Sequence, residues 1–483
     1  MVSSLSISLA KLGHEVKIVI PRYYSVDRNK LDQLEGALGV PVGGGEEWCG
    51  VCTTLLPGST KENPVDVYLI DHENYFGRDG LYGATSDSDF IDNPRRFTFF
   101  CRAAFQLCRK LGWYPDVLHA HDWMAALVPV YLKYAERGVP GSPGDFDNTV
   151  SVLTIHNLGY QGIYSKDNFP YTGLGWDVFY KACFEDWSMM NFLKAGLCSA
   201  DRLNTVSPNY AKETKTGEHG FRLDGVLCSR SADYSGILNG IDTEIWNPRN
   251  DRHIPKPYSA DDMSGKAMAK AALQRHFGLP EDPTVPLIGM VTRLVEQKGV
   301  WELFGGGYGS AWAICTQMKL QFVLLGSGDA SCENEVQSLS AKLPNFKAQV
   351  GYNEGLSHLI YAGSDFFLMP SQYEPCGLNQ MYSLVYGTLP IVRRTGGLID
   401  TVENYNQEKG AGNGFMFDDL TPQAIYNTVG WANWTWYNNP ECIDAMRRRA
   451  MKLDFSWEKY AKKYVELYTG TFRQVIGREP AAV

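Results

Sequence analysis

Glu374 and the pair Gly396-Gly397 stand at two successive turns of the stretch SQYEPCGLNQMYSLVYGTLPIVRRTGGLIDTV, residues 371–402. The carboxylate follows a short apolar run and precedes Pro375, Cys376 and Gly377. The glycines open a helix, where unpaired N–H groups and the positive end of the dipole attract phosphate. Two cations lie upstream, Arg293 and Lys298. A guanidinium is always charged and binds two oxygens at once, while an ammonium acts as a compact point charge. Held near a leaving phosphate, such groups stabilise charge that grows in the transition state. The first half offers Asp122, His156 and nearby polar side chains, which suit the hydroxyls of a sugar. A sugar-binding half beside a pyrophosphate-binding half points to glycosyl transfer.

Each of these groups follows an apolar run of strand length. The runs are 16–20, 65–70, 116–120 and 150–155 in the first half, then 236–238, 287–291, 322–325, 366–369 and 389–392. Their alternation with helical stretches favours parallel sheets wrapped by helices, an α/β fold. Ligands of open parallel sheets collect beyond the carboxyl ends of the strands. There stand His121-Asp122-Trp123, His156-Asn157, Asn239-Gly240, Thr292-Arg293, Gly326-Ser327-Gly328, Glu374 and Gly396-Gly397. Singly, each reads as a loop histidine, a helix cap, a solvated charge or a turn. Together they describe a cleft. Leu378, Met381, Leu384 and Val385 recur at helical spacing, and Gly387 stands where that helix should stop. A charged, proline-bearing segment, 246–259, and a helical stretch at 266–277 separate the halves, with the boundary near Ser235.

Composition narrows the function classes. A chain of 483 residues holds about two to three domains at the usual ~150 residues each. A net charge of -9 argues against a nucleic-acid partner, whose phosphates need a basic face. No apolar run approaches the ~20 residues of a membrane span. The opening MVSSLSISLAKLGHEV lacks the basic region and apolar core of a signal peptide and reads as an amphipathic helix. Eleven scattered cysteines, several in apolar segments, fit a reducing compartment, the cytoplasm or a plastid stroma. Cys49 and Cys52 have CxxC spacing without the second pair a zinc site needs.

Ten blocks then carry a resemblance. HAHDW (119–123), TIHNLGYQG (154–162), FLKAGL (192–197), VSPNYA (206–211), LNGID (238–242), RLVEQKG (293–299), LGSGD (325–329), YEPCGLNQ (373–380), RRTGGLIDTV (393–402) and DFSWEKYAKKYVELY (454–468) run in order over nearly the whole chain. They resemble the bacterial glycogen synthases and plant starch synthases that use ADP-glucose. The resemblance implies two Rossmann-like domains facing across a cleft. These would be an N-terminal starch synthase catalytic domain at 1–235, a C-terminal glycosyltransferase domain at 236–455, and a terminal helix, 456–483, crossing back to the first domain. It implies transfer of glucose, with retention, from ADP-glucose to the non-reducing end of an α-1,4-glucan: glycogen, starch or a malto-oligosaccharide.

By position, Asp122, His156 and Asn239 would hold the donor glucose, and Arg293 and Lys298 would neutralise the diphosphate. The amides of Thr395, Gly396, Gly397 and Leu398 would help. Glu374 would sit against the donor glucose, with Cys376, Gly377 and Leu378 in the substrate-binding loop, and Tyr352 would stack on adenine. No metal or other cofactor is implied. Glu374 would either stabilise an oxocarbenium-like centre during same-face attack or act as a nucleophile. The first is favoured, because the departing phosphate can take the acceptor's proton.

Family members begin with a strand and a Lys-x-Gly-Gly-Leu turn, whereas this sequence starts inside the helix that follows. That strand and one wall of the phosphate and acceptor site are therefore expected to be missing. A glycine-rich run at 305–309 stands where the family would have an uninterrupted helix. Two other readings stay open: a same-fold nucleotide-sugar transferase with a small acceptor, and a truncated, inactive glucan-binding relative.

Overall fold

A computed structural model describes residues 1–84, 88–306 and 309–480. The chain divides into two compact units. The first holds Met1–Val206, Ala211–Ile237 and the segment that begins at Trp457; the second holds Leu238–Ser456 with Ser207–Tyr210.

In the first unit the helix Val2–Lys11 buries Leu5, Leu9 and Ala10. Strand Val16–Pro21 pairs in parallel with Val65–Asp71. A second, four-stranded sheet is wholly parallel, in the order Tyr234–Gly236, Arg202–Thr205, Val150–Ile155, Val117–His121. The first sheet also carries antiparallel strands. Strand Gly45–Leu55 runs antiparallel to both Val65–Asp71 and Leu38–Val42. The register Val42↔Gly45 leaves a two-residue turn, Gly43-Gly44, with Gly43 at φ +60°. Positive φ there matches the twist of a tight hairpin, so glycine fits where most side chains would strain.

A strand at 236–238, opening the second half, also needs correction. The strand is Tyr234–Gly236, and it closes the first unit's sheet through the register Leu203↔Tyr234. The division between units falls after Ile237, whose N–H still bonds Thr205 O at 2.8 Å. The terminal helix Trp457–Ile476 belongs to the first unit, where it packs on Val2–Lys11 and on strand Val150–Ile155. Its Tyr464 and Phe472 are fully buried.

The second unit is built on a six-stranded parallel sheet. Its order is Phe346–Val350, Gln321–Gly328, Leu287–Leu294, Phe366–Met369, Leu389–Arg393, Phe415–Phe417. Helices cover both faces, which is why strands such as Phe366–Met369 are apolar at every position. Alternate residues feed two cores: Ile288 and Met290 point into one, Leu287 and Val291 into the other. Helix Val300–Phe304 ends at Gly305, and a second helix starts at Ala311. Gly305 and Gly306 follow the end of the first helix, and glycine costs roughly 1 kcal/mol against Ala in a helix interior. Gly307 and Tyr308 themselves lie outside the described residues.

Candidate functional site

The second unit gathers its polar groups at the carboxyl ends of three neighbouring strands. Phe366–Met369 ends at Met369, and Glu374 follows, 7% exposed. Lys298 Nζ approaches Glu374 Oε2 to 2.6 Å, and Ser371 Oγ donates to the same oxygen at 2.9 Å. Two groups therefore hold one carboxylate oxygen. A buried carboxylate needs such partners, because desolvating an unpaired charge costs several kcal/mol.

The Lys298 loop is bound to the Glu374 loop by its backbone. Gln372 N donates to Gln297 O at 2.8 Å, and Gln297 Nε2 donates to Tyr373 O at 3.2 Å. Gly299 turns at φ +66°, and a Cβ there would fall 1.9 Å from Pro370 O. Only glycine lets these loops close. Arg293 ends the strand Leu287–Leu294, exposed, with Nη2 3.4 Å from Gln297 Oε1.

The glycine pair opens the helix Gly396–Thr401 directly under the same loop. Gly397 N donates to Glu374 O at 3.0 Å. A Cβ on Gly396 would fall 1.8 Å from Glu374 O, and one on Gly397 2.1 Å from Cys376 O. Thr395, Gly396, Gly397 and Leu398 are all buried. Burial pushes the Cys376 thiol up to about 12, opposed by the Asn239 backbone N–H that reaches it. Asn239 thus stands beside Cys376, 7% exposed, with its Oδ1 lacking a partner among the described residues. Tyr352 stands apart from this cluster, 87% exposed, just before the N-cap Asn353 of helix Glu354–Gly363.

In the first unit, Asp122 and His156 follow the adjacent parallel strands Val117–His121 and Val150–Ile155. Asp122 takes φ +56°, the left-handed region, and its Oδ1 accepts from His156 N at 2.7 Å. Burial raises the Asp122 carboxyl above its usual range, against the pull of His156. Burial lowers His156 below the usual imidazole range and His121 far below it. The two rings share a hydrogen bond, His121 Nδ1 to His156 Nε2 at 3.1 Å. His119 is likewise lowered, to about 3, by burial between Tyr468 Oη and Thr154 Oγ1, each 2.7 Å away. Beside Trp123 opens a cavity of about 510 Å³, lined among others by Tyr160, Gln161, Tyr164, Phe221 and Arg222. Flat aromatic faces with a polar rim suit a sugar ring.

Sequence reading missed Ser371, Asn379 and Gln380. Asn379 Nδ2 donates to Val291 O at 2.7 Å, and Gln380 Nε2 reaches Cys376 O, Gly377 O and Thr401 Oγ1. The available signal was three uncharged polar residues inside an otherwise buried stretch. Cys49 and Cys52 are buried free thiols on strand Gly45–Leu55, as all eleven cysteines are free. Among the described residues no three His, Cys, Asp or Glu side chains gather to hold a metal. No helix there is long and apolar enough to cross a membrane.

Parallel sheets in two units, with a paired carboxylate and ammonium over a glycine turn, define a glycosyltransferase of the two-Rossmann type. Residues 1–229 match the family described as starch synthase catalytic domain, and 273–432 match glycosyl transferases group 1. The chain is 56% identical to a glycogen synthase of Treponema denticola, over 97% of this chain and 93% of that one. It is 46% identical to glycogen synthase 1 of Geobacter sulfurreducens, over 97% and 92%. The catalytic domain of starch synthase IV from Arabidopsis thaliana, solved bound to ADP and acarbose, superposes with a TM-score of 0.85 at 32% identity, covering 98% of this chain and 95% of that one. Sucrose-phosphate synthase from Thermosynechococcus elongatus shares the fold, with a TM-score of 0.58 at 18% identity, over 99% and 92%. The chain belongs to the glycogen and starch synthase family.

Proposed function

We propose that this protein transfers glucose from ADP-glucose to the non-reducing end of an α-1,4-glucan, with retention of configuration. The observation that carries the reading is the Lys298–Glu374 contact at 2.6 Å above the Gly396-Gly397 turn. A cation poised for a leaving diphosphate is thereby tied to a carboxylate poised for the sugar that it leaves.

In this reading Lys298 and Arg293 take up the negative charge of departing ADP. Glu374 offers its second oxygen to the positive charge growing at the sugar. Asn239, Asp122 and His156 bind hydroxyls of the donor glucose. Tyr352 offers an open ring face to adenine. The aromatic cavity beside Trp123 receives the glucan. The reaction takes place in the cytoplasm or a plastid stroma, a reading supported by the eleven free thiols. No divalent ion takes part, because the cations Lys298 and Arg293 fill its role.

A donor panel tests this. Glycogen and maltose are offered with ADP-glucose or UDP-glucose, each with and without EDTA. The reading expects ADP-glucose and glycogen to be preferred and EDTA to change little. Use of UDP-glucose with a small acceptor alone would count against it.

A further inference from the structure

Helix Glu354–Gly363 carries a buried histidine that none of these roles uses. His358 is 1% exposed, and its Nδ1 lies 2.7 Å from Asp251 Oδ2. The Tyr386 hydroxyl donates to the same oxygen at 2.5 Å, and His253 N donates to Oδ1 at 2.8 Å. Trp246 stacks on His358 with ring centroids 3.9 Å apart and planes at 10°, and on Tyr382 at 4.0 Å and 20°.

Three segments of the second unit meet at this cluster. Trp246 and Asp251 lie on the segment that begins at Asn239. His358 lies one helix turn past the cap Asn353, which follows Tyr352. Tyr382 and Tyr386 belong to and follow the helix Asn379–Val385, which continues from Cys376, Gly377 and Leu378. A carboxylate this deeply buried is costly to leave short of donors, so its partners are not free to drift. Stacked rings add directional packing to the same junction.

We propose that Asp251 and His358 are positioning residues. Their pair, backed by Trp246, fixes the Asn239 turn and the start of helix Glu354–Gly363, next to Tyr352, relative to the Cys376 loop, so that donor sugar and base meet backbone already in place. The pair touches no substrate itself. The clamp rests on the proposed function only for what Asn239 and Tyr352 hold.

Hydrogen exchange on the nucleotide-free full chain tests the clamp directly, comparing wild type with His358→Leu and His358→Asn. The Asn amide keeps a donor toward Asp251. His358→Leu is expected to speed exchange roughly tenfold, about 1.4 kcal/mol, in both 239–251 and 352–358, with the central strands unchanged. In the same variant the KM for ADP-glucose rises about tenfold while kcat stays within about threefold. His358→Asn recovers most of both effects.

Unchanged exchange in either segment overturns the clamp, as does faster exchange with an unchanged KM. A wild-type chain that uses no ADP-glucose defeats the donor reading alone, and the exchange result still decides the clamp. If His358→Leu does not fold, Tyr386→Phe, which deletes one donor to Asp251, takes its place with the same expectations.

Discussion

Lys298 Nζ and Glu374 Oε2 stand 2.6 Å apart, joined across 76 residues of sequence. Their contact closes the Lys298 loop onto the Glu374 loop and places opposite charges at neighbouring strand ends. Glu374→Ala or Lys298→Ala is expected to lower turnover by at least ~100-fold, the scale for losing a charge-stabilising group. Because the two act as a unit, the double variant should fall well short of the product of the single losses. Labelled glucose transfer under saturating donor measures both.

Gly397 has no room for a methyl group, since its Cβ would lie 2.1 Å from Cys376 O. The obstacle is backbone, so the helix Gly396–Thr401 and the Cys376 loop must separate. Gly397→Ala is expected to cost ~1–3 kcal/mol in urea unfolding, the usual range for overpacking, and to raise the KM for ADP-glucose.

Tyr352 presents the opposite case. At 87% exposure its ring supports little of the fold, so Tyr352→Ala should change stability by less than ~0.5 kcal/mol. If it stacks on adenine, the same change weakens ADP binding by about tenfold in calorimetry. Equal affinity in the variant would take Tyr352 out of the site.

The histidines of the first unit predict an acid-side loss of stability. His119 is lowered to about 3 when folded, against an ordinary value near 6.5 when unfolded. Between those values the unfolded chain binds the extra proton, so stability rises with pH across that window. The contribution is complete above about pH 6.5 and declines as pH falls, by at most ~1.4 kcal/mol per pH unit for each such group. His121, lowered further by burial, acts in the same sense. Urea midpoints between pH 7 and 5 should therefore fall, and His119→Gln should flatten the slope.

Much of the fold was legible because buried parallel strands are apolar along their whole length. Phe366–Met369 and Val150–Ile155 stand where that pattern puts them. Gly45–Leu55 was not legible: its charged start, Glu46-Glu47, and its half-exposed positions hide a strand covered on one side only. Tyr234–Gly236 was displaced by two residues, since the apolar signal at Ile237 and Leu238 continues past the last paired residue. The site divides in the same way. Glu374, Lys298 and the glycine pair were visible from residue chemistry at strand ends. The support from Ser371 and Gln380 was not, because a buried hydroxyl or amide looks like any loop or helix residue until its partner is known.

The central claim is tested most directly by incubating the chain with glycogen and ADP-glucose labelled in the glucose, then digesting the polymer with an α-1,4-specific exo-amylase. The account predicts that label enters the polymer, is released as maltose from its non-reducing ends, and is lost with Glu374→Ala. Label left in solution, or transferred only to a small acceptor, would contradict it.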